Sequence, residues 1–384
     1  MESNRRRFIK KSLATAAGLG IFTGAIEGKD LLSRRPVVYR ESDPVKTFDK
    51  PVIRFAAIGL NHGHIYSQVN TVIRSGGELV WFYAKEPDLI ATFQERFPQA
   101  KLARSEDEIL QDPSIQLVVS ASIPIDRAPL GIRVMQHGKD FMADKPGIIT
   151  LKQLKEVRRV QKATGRIYSI LYGERLQSRA SLKAAELIRK GAIGRVVQTM
   201  GTGPHRINPS ARQPWFFDRK SYGGIICDIG SHQCEQFLYF TNSTSAEVLA
   251  SQVGNVHNKQ YPGLEDFGDA MLRGNGGSGY FRVDWFTPDG LPTWGDVRLT
   301  ILGTDGYMEL RKTIDLQGRD GGNHLFLVDQ KQTAYIDCSD ATPGYGPALV
   351  HDILNRTETA MPQEHCFLAT EIALRAQQQA KIIS

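Results

Sequence analysis

The sequence predicts an α/β protein, with a doubly wound parallel sheet in the first half and an α+β domain built on a largely antiparallel open sheet in the second. Three observations predict it. Short apolar runs alternate with helical stretches between Pro51 and Tyr172, which is the pattern of βαβ units. From Glu247 to Ile336 strand-like runs follow one another with turn signals and no helix between them. The length of 384 residues exceeds one small domain, since roughly 150 residues per domain suggests about two.

Val52–Ile58 is an apolar run ending at Gly59, and a helical stretch follows to about Arg74. Glu78–Ala84 precedes a helix over Pro87–Arg96, and Ile115–Ala121 precedes one over Asp126–His137. Strands at Asp140–Asp144 and Ile167–Tyr172 bracket a helix over Thr150–Thr164. Continuous apolar strands of this kind are buried on both faces. After Gly173 the expected order is a helix (Ser178–Lys190), a strand (Arg195–Gly201), a loop rich in Pro and Trp, and a helix from about Asp228. Strands are then expected at Glu247–Val256, Asp269–Arg273, Gly279–Phe286, Val297–Leu302, Tyr307–Arg311, Leu325–Asp329 and Thr333–Ile336, with a closing helix over Glu364–Ile382. The glycine-rich segment Gly274–Gly279 lies between two strands, so it reads as a hairpin turn rather than a phosphate loop.

Composition excludes several classes. Hydrophobic residues at 41% and charged residues at 23% are globular values, which disfavours a disordered or disulfide-scaffold chain. Four cysteines without a C-x-x-C pair rule out a zinc ribbon. The net charge of +7 invites a nucleic-acid reading, but residues 1–25 hold five basic residues against one acid, leaving +3 on the rest. Arg5-Arg6-Arg7-Phe8-Ile9-Lys10 followed by an Ala/Gly-rich apolar run matches a twin-arginine export signal too short to span a bilayer. Expected boundaries are a signal peptide over 1–25, a linker over 26–50, a doubly wound domain over 51–173, and an α+β domain over 174–384, which the family resemblance given below makes a substrate-binding and oligomerisation domain. The expected location is the periplasm, with no nucleic-acid partner and no membrane span in the mature protein.

The turn after the first strand is Gly59-Leu60-Asn61-His62-Gly63-His64. A dinucleotide fold places glycines here so that backbone can approach a pyrophosphate at a helix N-terminus. Gly59 takes the first position, Asn61 and His64 replace the later glycines, and Gly63 is offset by one. His62 and His64 raise the question of a metal, but no carboxylate or cysteine follows at helical spacing, so no metal is expected. At the end of the second strand Ala84 and Lys85 suit a 2′-phosphate better than a free ribose hydroxyl, a lean toward NADP, the alternative being that Glu86 takes the ribose of NAD from a shifted loop. Lys145 follows a strand and precedes Pro146, which places it on the carboxyl edge of the sheet. Asp228 and His232 are four apart, one helical turn, where a carboxylate orients an imidazole general base. Cys227 and Cys234 are too far apart on a regular helix for a disulfide.

Asp144-Lys145-Pro146 and Gly223-Gly224 through Asp228, Gly230 and His232 resemble the Glu-Lys-Pro and Gly-Gly-x-x-x-Asp-x-Gly-x-His motifs of the glucose–fructose oxidoreductase, inositol dehydrogenase and rhizopine-catabolism (Gfo/Idh/MocA) family. Leu187–Gly194 is similar to the segment joining its two domains, and the likeness covers roughly residues 51–384. The resemblance implies a Rossmann domain with bound NAD(P), followed by a domain whose open sheet makes a homo-oligomer, a dimer or tetramer. It implies that Lys145 positions a substrate hydroxyl, that His232 removes its proton, and that Asp228 orients His232. Asp144 is then near the nicotinamide ribose. Ser122 and Pro124 stand where the family's Thr-Pro contacts the cofactor, and Arg127 stands where many members have His. His205, Arg206 and Trp215, ahead of the Gly-Gly motif, become candidate substrate contacts, the Trp by stacking on a sugar face. The implied activity is oxidoreduction at a secondary hydroxyl or ketone of a sugar or polyol. A redox-neutral glycoside hydrolase and a non-catalytic carbohydrate-binding protein are the alternatives. An exported dehydrogenase meets no maintained pool of free dinucleotide, so its cofactor is expected to stay bound and be recycled.

Overall fold

The computed structural model describes residues 50–383. The expected export signal and nearly all of the linker lie outside the described residues.

The first layer holds β1 (Ile53–Ile58), α1 (His64–Ile73), β2 (Gly77–Tyr83), α2 (Pro87–Arg96), β3 (Lys101–Leu102), α3 (Glu106–Gln111), β4 (Leu117–Ser120), α4 (Pro124–Gln136), β5 (Asp140–Ala143), α5 (Leu151–Thr164) and β6 (Tyr168–Ile170). The strands pair in parallel in the order β3-β2-β1-β4-β5-β6. Phe55, Leu117, Val118, Phe141 and Tyr168 are fully buried, as an apolar strand covered on both faces requires. Helix α1 turns Ile65, Val69 and Val72 into that core. At the start of α5 the Thr150 hydroxyl accepts from the Gln153 amide, and Gly165 closes it in a left-handed cap. The order reverses between β1 and β4, and it is outside the carboxyl ends of the strands at such a switch that doubly wound folds open a crevice.

The chain continues through α6 (Gly173–Leu176), α7 (Arg179–Arg189), β7 (Val196–Pro204), α8 (Arg219–Tyr222), α9 (Ser231–Thr241), β8 (Ala246–Gly254), β9 (Phe267–Gly274), β10 (Ser278–Asp284), β11 (Arg298–Gly303), β12 (Gly306–Arg311), β13 (His324–Asp329), β14 (Thr333–Ile336), α10 (Tyr345–Asn355), α11 (Gln363–Gln379) and β15 (Lys381–Ile383). The second sheet has the order β14-β13-β12-β11-β7-β10-β9-β8-β15. Its pairs are antiparallel except β7 with β10 and β8 with β15, so the expected largely antiparallel sheet is present, in mixed form. Gly274–Gly279 is the expected turn between β9 and β10, closed by the Gly274 amide donating to the Gly277 carbonyl. Helices α9 and α11 cover one face of this sheet. Met200, Met271, Leu302 and Tyr307 stand exposed on the other.

Several features depart from the sequence reading: α3 and α10 were not expected, and the closing helix expected over Glu364–Ile382 ends at Gln379, where the chain turns into strand β15 to pair with β8. Ile226–Gly230 forms a π-helical turn before α9, where one regular helix from Asp228 was expected. The C-terminal segment also returns to the first layer: Tyr345 Oη meets Ser169 Oγ at 2.7 Å, Arg356 binds Asp140 at 2.7 Å, and the Tyr168 amide donates to Gln363 Oε1 at 2.8 Å. Helix α11 ties on to the second sheet as well, with Ser251 Oγ donating to the Ala376 carbonyl. All four cysteines are buried and unbridged.

Candidate active site

The site is assembled from strand ends. Gly59, just past β1, adopts φ +78°, and a Cβ there would lie 2.4 Å from the Ser122 Cβ past β4. Only glycine lets the two turns close on each other. From this contact the chain passes Asn61, whose side-chain amide donates to Glu86 Oε1 at 2.8 Å, and His62, whose backbone amide donates to the Ala121 carbonyl. Gly63 then leads into α1 with His64 at its first position.

Asp144, at the end of β5 and almost fully buried, gathers these residues. Its Oδ1 lies 2.9 Å from His64 Nδ1 and accepts from the Lys145 amide at 2.8 Å. Its Oδ2 lies 2.9 Å from His62 Nδ1 and 3.2 Å from the Arg127 guanidinium. Burial acts to raise the Asp144 carboxyl, but the charges of His64, Arg127 and His62 hold it well below the carboxylate range. Arg127, 1% exposed on α4, donates to the Ser122, Lys145 and Pro146 carbonyls. It is a buried strut that locks the β4 and β5 turns together. The carboxylate that does not follow the two histidines in sequence thus reaches them from a strand 80 residues on.

Lys145 Nζ donates to Asp228 Oδ1 at 2.9 Å, with only 6% of the lysine side chain exposed. Burial pushes the Asp228 carboxyl upward, and the neighbouring Lys145, His62 and His205 outweigh it and bring it below its usual value. The expected Asp228 to His232 contact is replaced by this one. In the π-helical turn the Asp228 carboxylate is directed across the cleft to Lys145, and His232 Nδ1 is buried without a hydrogen-bond partner. His232 packs edge-on to Tyr172 at 6.0 Å. Burial, then the charge of Lys145, lowers its pKa well below the usual histidine value, so the ring is neutral at physiological pH.

Lys145, Asp228, His232, His62, His64, Asp144, Pro124, His205, Arg206 and Trp215 all line one cavity of about 690 Å³. His205 packs against Trp285 and Trp294, and burial lowers its pKa to about 3. Trp215 is edge-on to His62 at 6.5 Å. Arg206 is turned to the Pro288 and Leu291 carbonyls, so its hydrogen bonds go to the cavity's outer loop. The sequence reading missed Glu174, Lys312, Trp285 and Trp294, which line the same cavity. Lys312, past β12, donates to the Glu174 carbonyl and to Gln236, and burial lowers its pKa to about 8. Nothing in its sequence surroundings marks it, because its neighbours come from α6 and α9. Gly59, Asn61, Ala84, Lys85 and Ser122 instead line a second cavity of about 300 Å³, with Glu86, Glu106, Asp126 and Arg133.

This arrangement has close structural counterparts. The chain superposes on a candidate oxidoreductase from Erwinia carotovora atroseptica with a TM-score of 0.85 and 48% identity, covering 86% of this chain and all of the other. Residues 181–309 match the GFO/IDH/MocA C-terminal domain. The chain belongs to the Gfo/Idh/MocA family. Levoglucosan dehydrogenase in complex with NADH and levoglucosan shares the fold, with a TM-score of 0.69 and 18% identity over 85% of this chain and 98% of that one. Among curated relatives of this family member, the 1,5-anhydro-D-fructose reductase of Ensifer adhaerens is 24% identical over 72% of this chain and 84% of its own length. The NADP-dependent scyllo-inositol 2-dehydrogenase of Bacillus subtilis is 26% identical over 41% of this chain and 44% of its own length. The chain spans less than half the length of the first curated relatives it matches.

Proposed function

We propose that the protein is an NAD(P)-dependent oxidoreductase acting at a secondary hydroxyl, or the corresponding ketone, of a sugar or polyol. The observation that carries this reading is the placement of Lys145, paired with Asp228, beside the neutral His232 in one cavity at the carboxyl edge of the parallel sheet.

The residues fit a nicotinamide dinucleotide. The two cavities extend along the carboxyl ends of β1, β2, β4 and β5, where a doubly wound fold receives a dinucleotide. The smaller would hold the adenosine end through Asn61, Ala84, Lys85, Glu86 and Ser122, and the larger the nicotinamide end beside Pro124, Asp144 and Lys145. The bound nicotinamide would accept or return a hydride. The smaller cavity carries Glu86, Glu106 and Asp126 against Lys85 and Arg133, with Arg133 already on Glu106. That acidic balance supports NAD over the 2′-phosphate of NADP, against the lean taken from Ala84 and Lys85.

In this reading Lys145 donates to the substrate hydroxyl oxygen, which favours its loss of a proton, and His232, held neutral by burial, receives that proton. Asp228 fixes the Lys145 ammonium rather than the imidazole tautomer. Trp215, Trp285 and Trp294 offer apolar walls for a sugar ring. We further propose twin-arginine export to the periplasm with the dinucleotide retained through turnover, supported by the Arg5-Arg6 signal, and assembly into a homo-oligomer, supported by the exposed apolar face of the second sheet.

Denaturing the purified mature protein and quantifying the released dinucleotide by mass spectrometry tests the retained-cofactor reading. Near-stoichiometric release is expected, and an empty protein needing millimolar added cofactor refutes it. Lys145→Ala and His232→Ala are each expected to lower turnover on any sugar or polyol substrate by about 100-fold or more; intact turnover in both overturns the site assignment.

A further inference from the structure

We propose that His62, His64 and Asp144 form a binding site for a divalent transition-metal ion of the zinc, cobalt or nickel type, opening on the active-site cavity. One ligand atom from each residue lies within 4.8 Å of the other two. The two imidazoles approach the two oxygens of a single carboxylate, each Nδ1 at 2.9 Å from its own oxygen. Ligand atoms about 2.0–2.2 Å from a tetrahedral zinc ion stand about 3.3 Å apart, so atoms up to 4.8 Å apart draw together by side-chain rotation as the ion enters.

A second observation points the same way. His62 Nδ1 and Asp144 Oδ2 are both buried, they lie 2.9 Å apart, and neither completes a hydrogen bond. Asp144 Oδ2 is also paired with Arg127 at 3.2 Å, but a buried imidazole nitrogen without a hydrogen bond is costly, and coordination to an ion satisfies it. The two rings also pack edge to face, at centroids 4.2 Å apart with planes 82° to each other, which holds both nitrogens near the same carboxylate.

The charges around the site select the class of ion. Asp144 is the only carboxylate among the three ligands, and Arg127 shares it at 3.2 Å. The other nearby cation, Lys145, is held by Asp228. A hard ion such as magnesium or calcium needs several oxygen ligands and finds one here. A borderline ion that binds through imidazole finds two nitrogens and an oxygen. All three residues line the cavity that holds Lys145 and His232, and three protein ligands leave a coordination position for water or for a substrate oxygen. This inference does not depend on the oxidoreductase reading, because it concerns ion binding and not turnover.

Tag-free full-length protein, stripped by chelation and dialysed, is titrated with cobalt(II) and with zinc(II). The expected result is one equivalent bound at micromolar metal, with visible cobalt d–d bands of an imidazole-bound ion that zinc displaces and a thousandfold excess of magnesium does not. His62→Gln and His64→Gln, with unchanged circular dichroism, are each expected to weaken binding by at least tenfold. Absence of a stoichiometric site, displacement by magnesium, or wild-type affinity in either variant overturns the proposal.

Discussion

Replacing Asp228 by Asn tests how the site is held together. The substitution preserves shape and removes one charge, leaving the Lys145 ammonium, 6% exposed, beside the neutral rings of His205 and His232. Two unit charges about 4 Å apart at an effective dielectric near 20 attract by about 4 kcal/mol, and removing one partner of a buried pair costs about 3–5 kcal/mol. Asp228 is 14% exposed and faces a cavity that admits solvent, which screens the pair and places the loss just below that range, about 2–3 kcal/mol. The assay is urea unfolding of wild type, Asp228→Asn, Lys145→Met and the double variant, followed by circular dichroism. Each single change strands a buried charge and the double change strands none, so the double variant should be more stable than additivity predicts, with a coupling of about 2 kcal/mol. Additivity within about 0.5 kcal/mol would refute the claim that Asp228 serves Lys145, and a recovered Asp228 to His232 contact would then be the better account of the π-helical turn.

Gly59→Ala places a Cβ 2.4 Å from Ser122 Cβ at φ +78°; it should lower stability by about 1–3 kcal/mol and reduce the dinucleotide that co-purifies, and wild-type values for both would show that the two turns are not tightly apposed. Glu235, fully buried against Arg175 and His365, feels burial raising its carboxyl, but those two partners bring it down to about 2 from 4.5. A carboxyl with a depressed folded-state pKa stabilises the fold above its unfolded value and loses that contribution as pH falls through its folded value. The urea midpoint should therefore decline as pH drops from about 4.5 toward 2, and Glu235→Gln should flatten that decline; an unchanged slope counts against the buried pairing.

Much of the first layer was legible because its code is local. Val52–Ile58 and Ile115–Ala121 are apolar runs that only a doubly covered strand can bury, and each is followed by a helix-length amphipathic stretch. The candidate site was legible at the level of residue identity, since Lys145, Asp228 and His232 were singled out by neighbouring glycines and proline and do share one cavity. Their partners were not legible. A four-residue spacing on a regular helix implied Asp228 beside His232, yet Asp228 lies in a π-helical turn and its carboxylate goes to Lys145. Lys312 and Glu174 carried no sequence signal, because each acquires its buried setting from elements far along the chain.

By itself the sequence determined most of the strands and helices, that the first sheet is parallel, and which residue types stand at its carboxyl edge, because periodicity, turn residues and apolar burial act over a few neighbours. Only the tertiary structure decided that Asp144 meets His62 and His64, that Arg127 ties the β4 turn to the β5 turn, and that helices α10 and α11 return from the C-terminus to complete the first layer. These are contacts between residues tens to hundreds of positions apart. They depend on the register and packing of whole sheets, which no local spacing encodes.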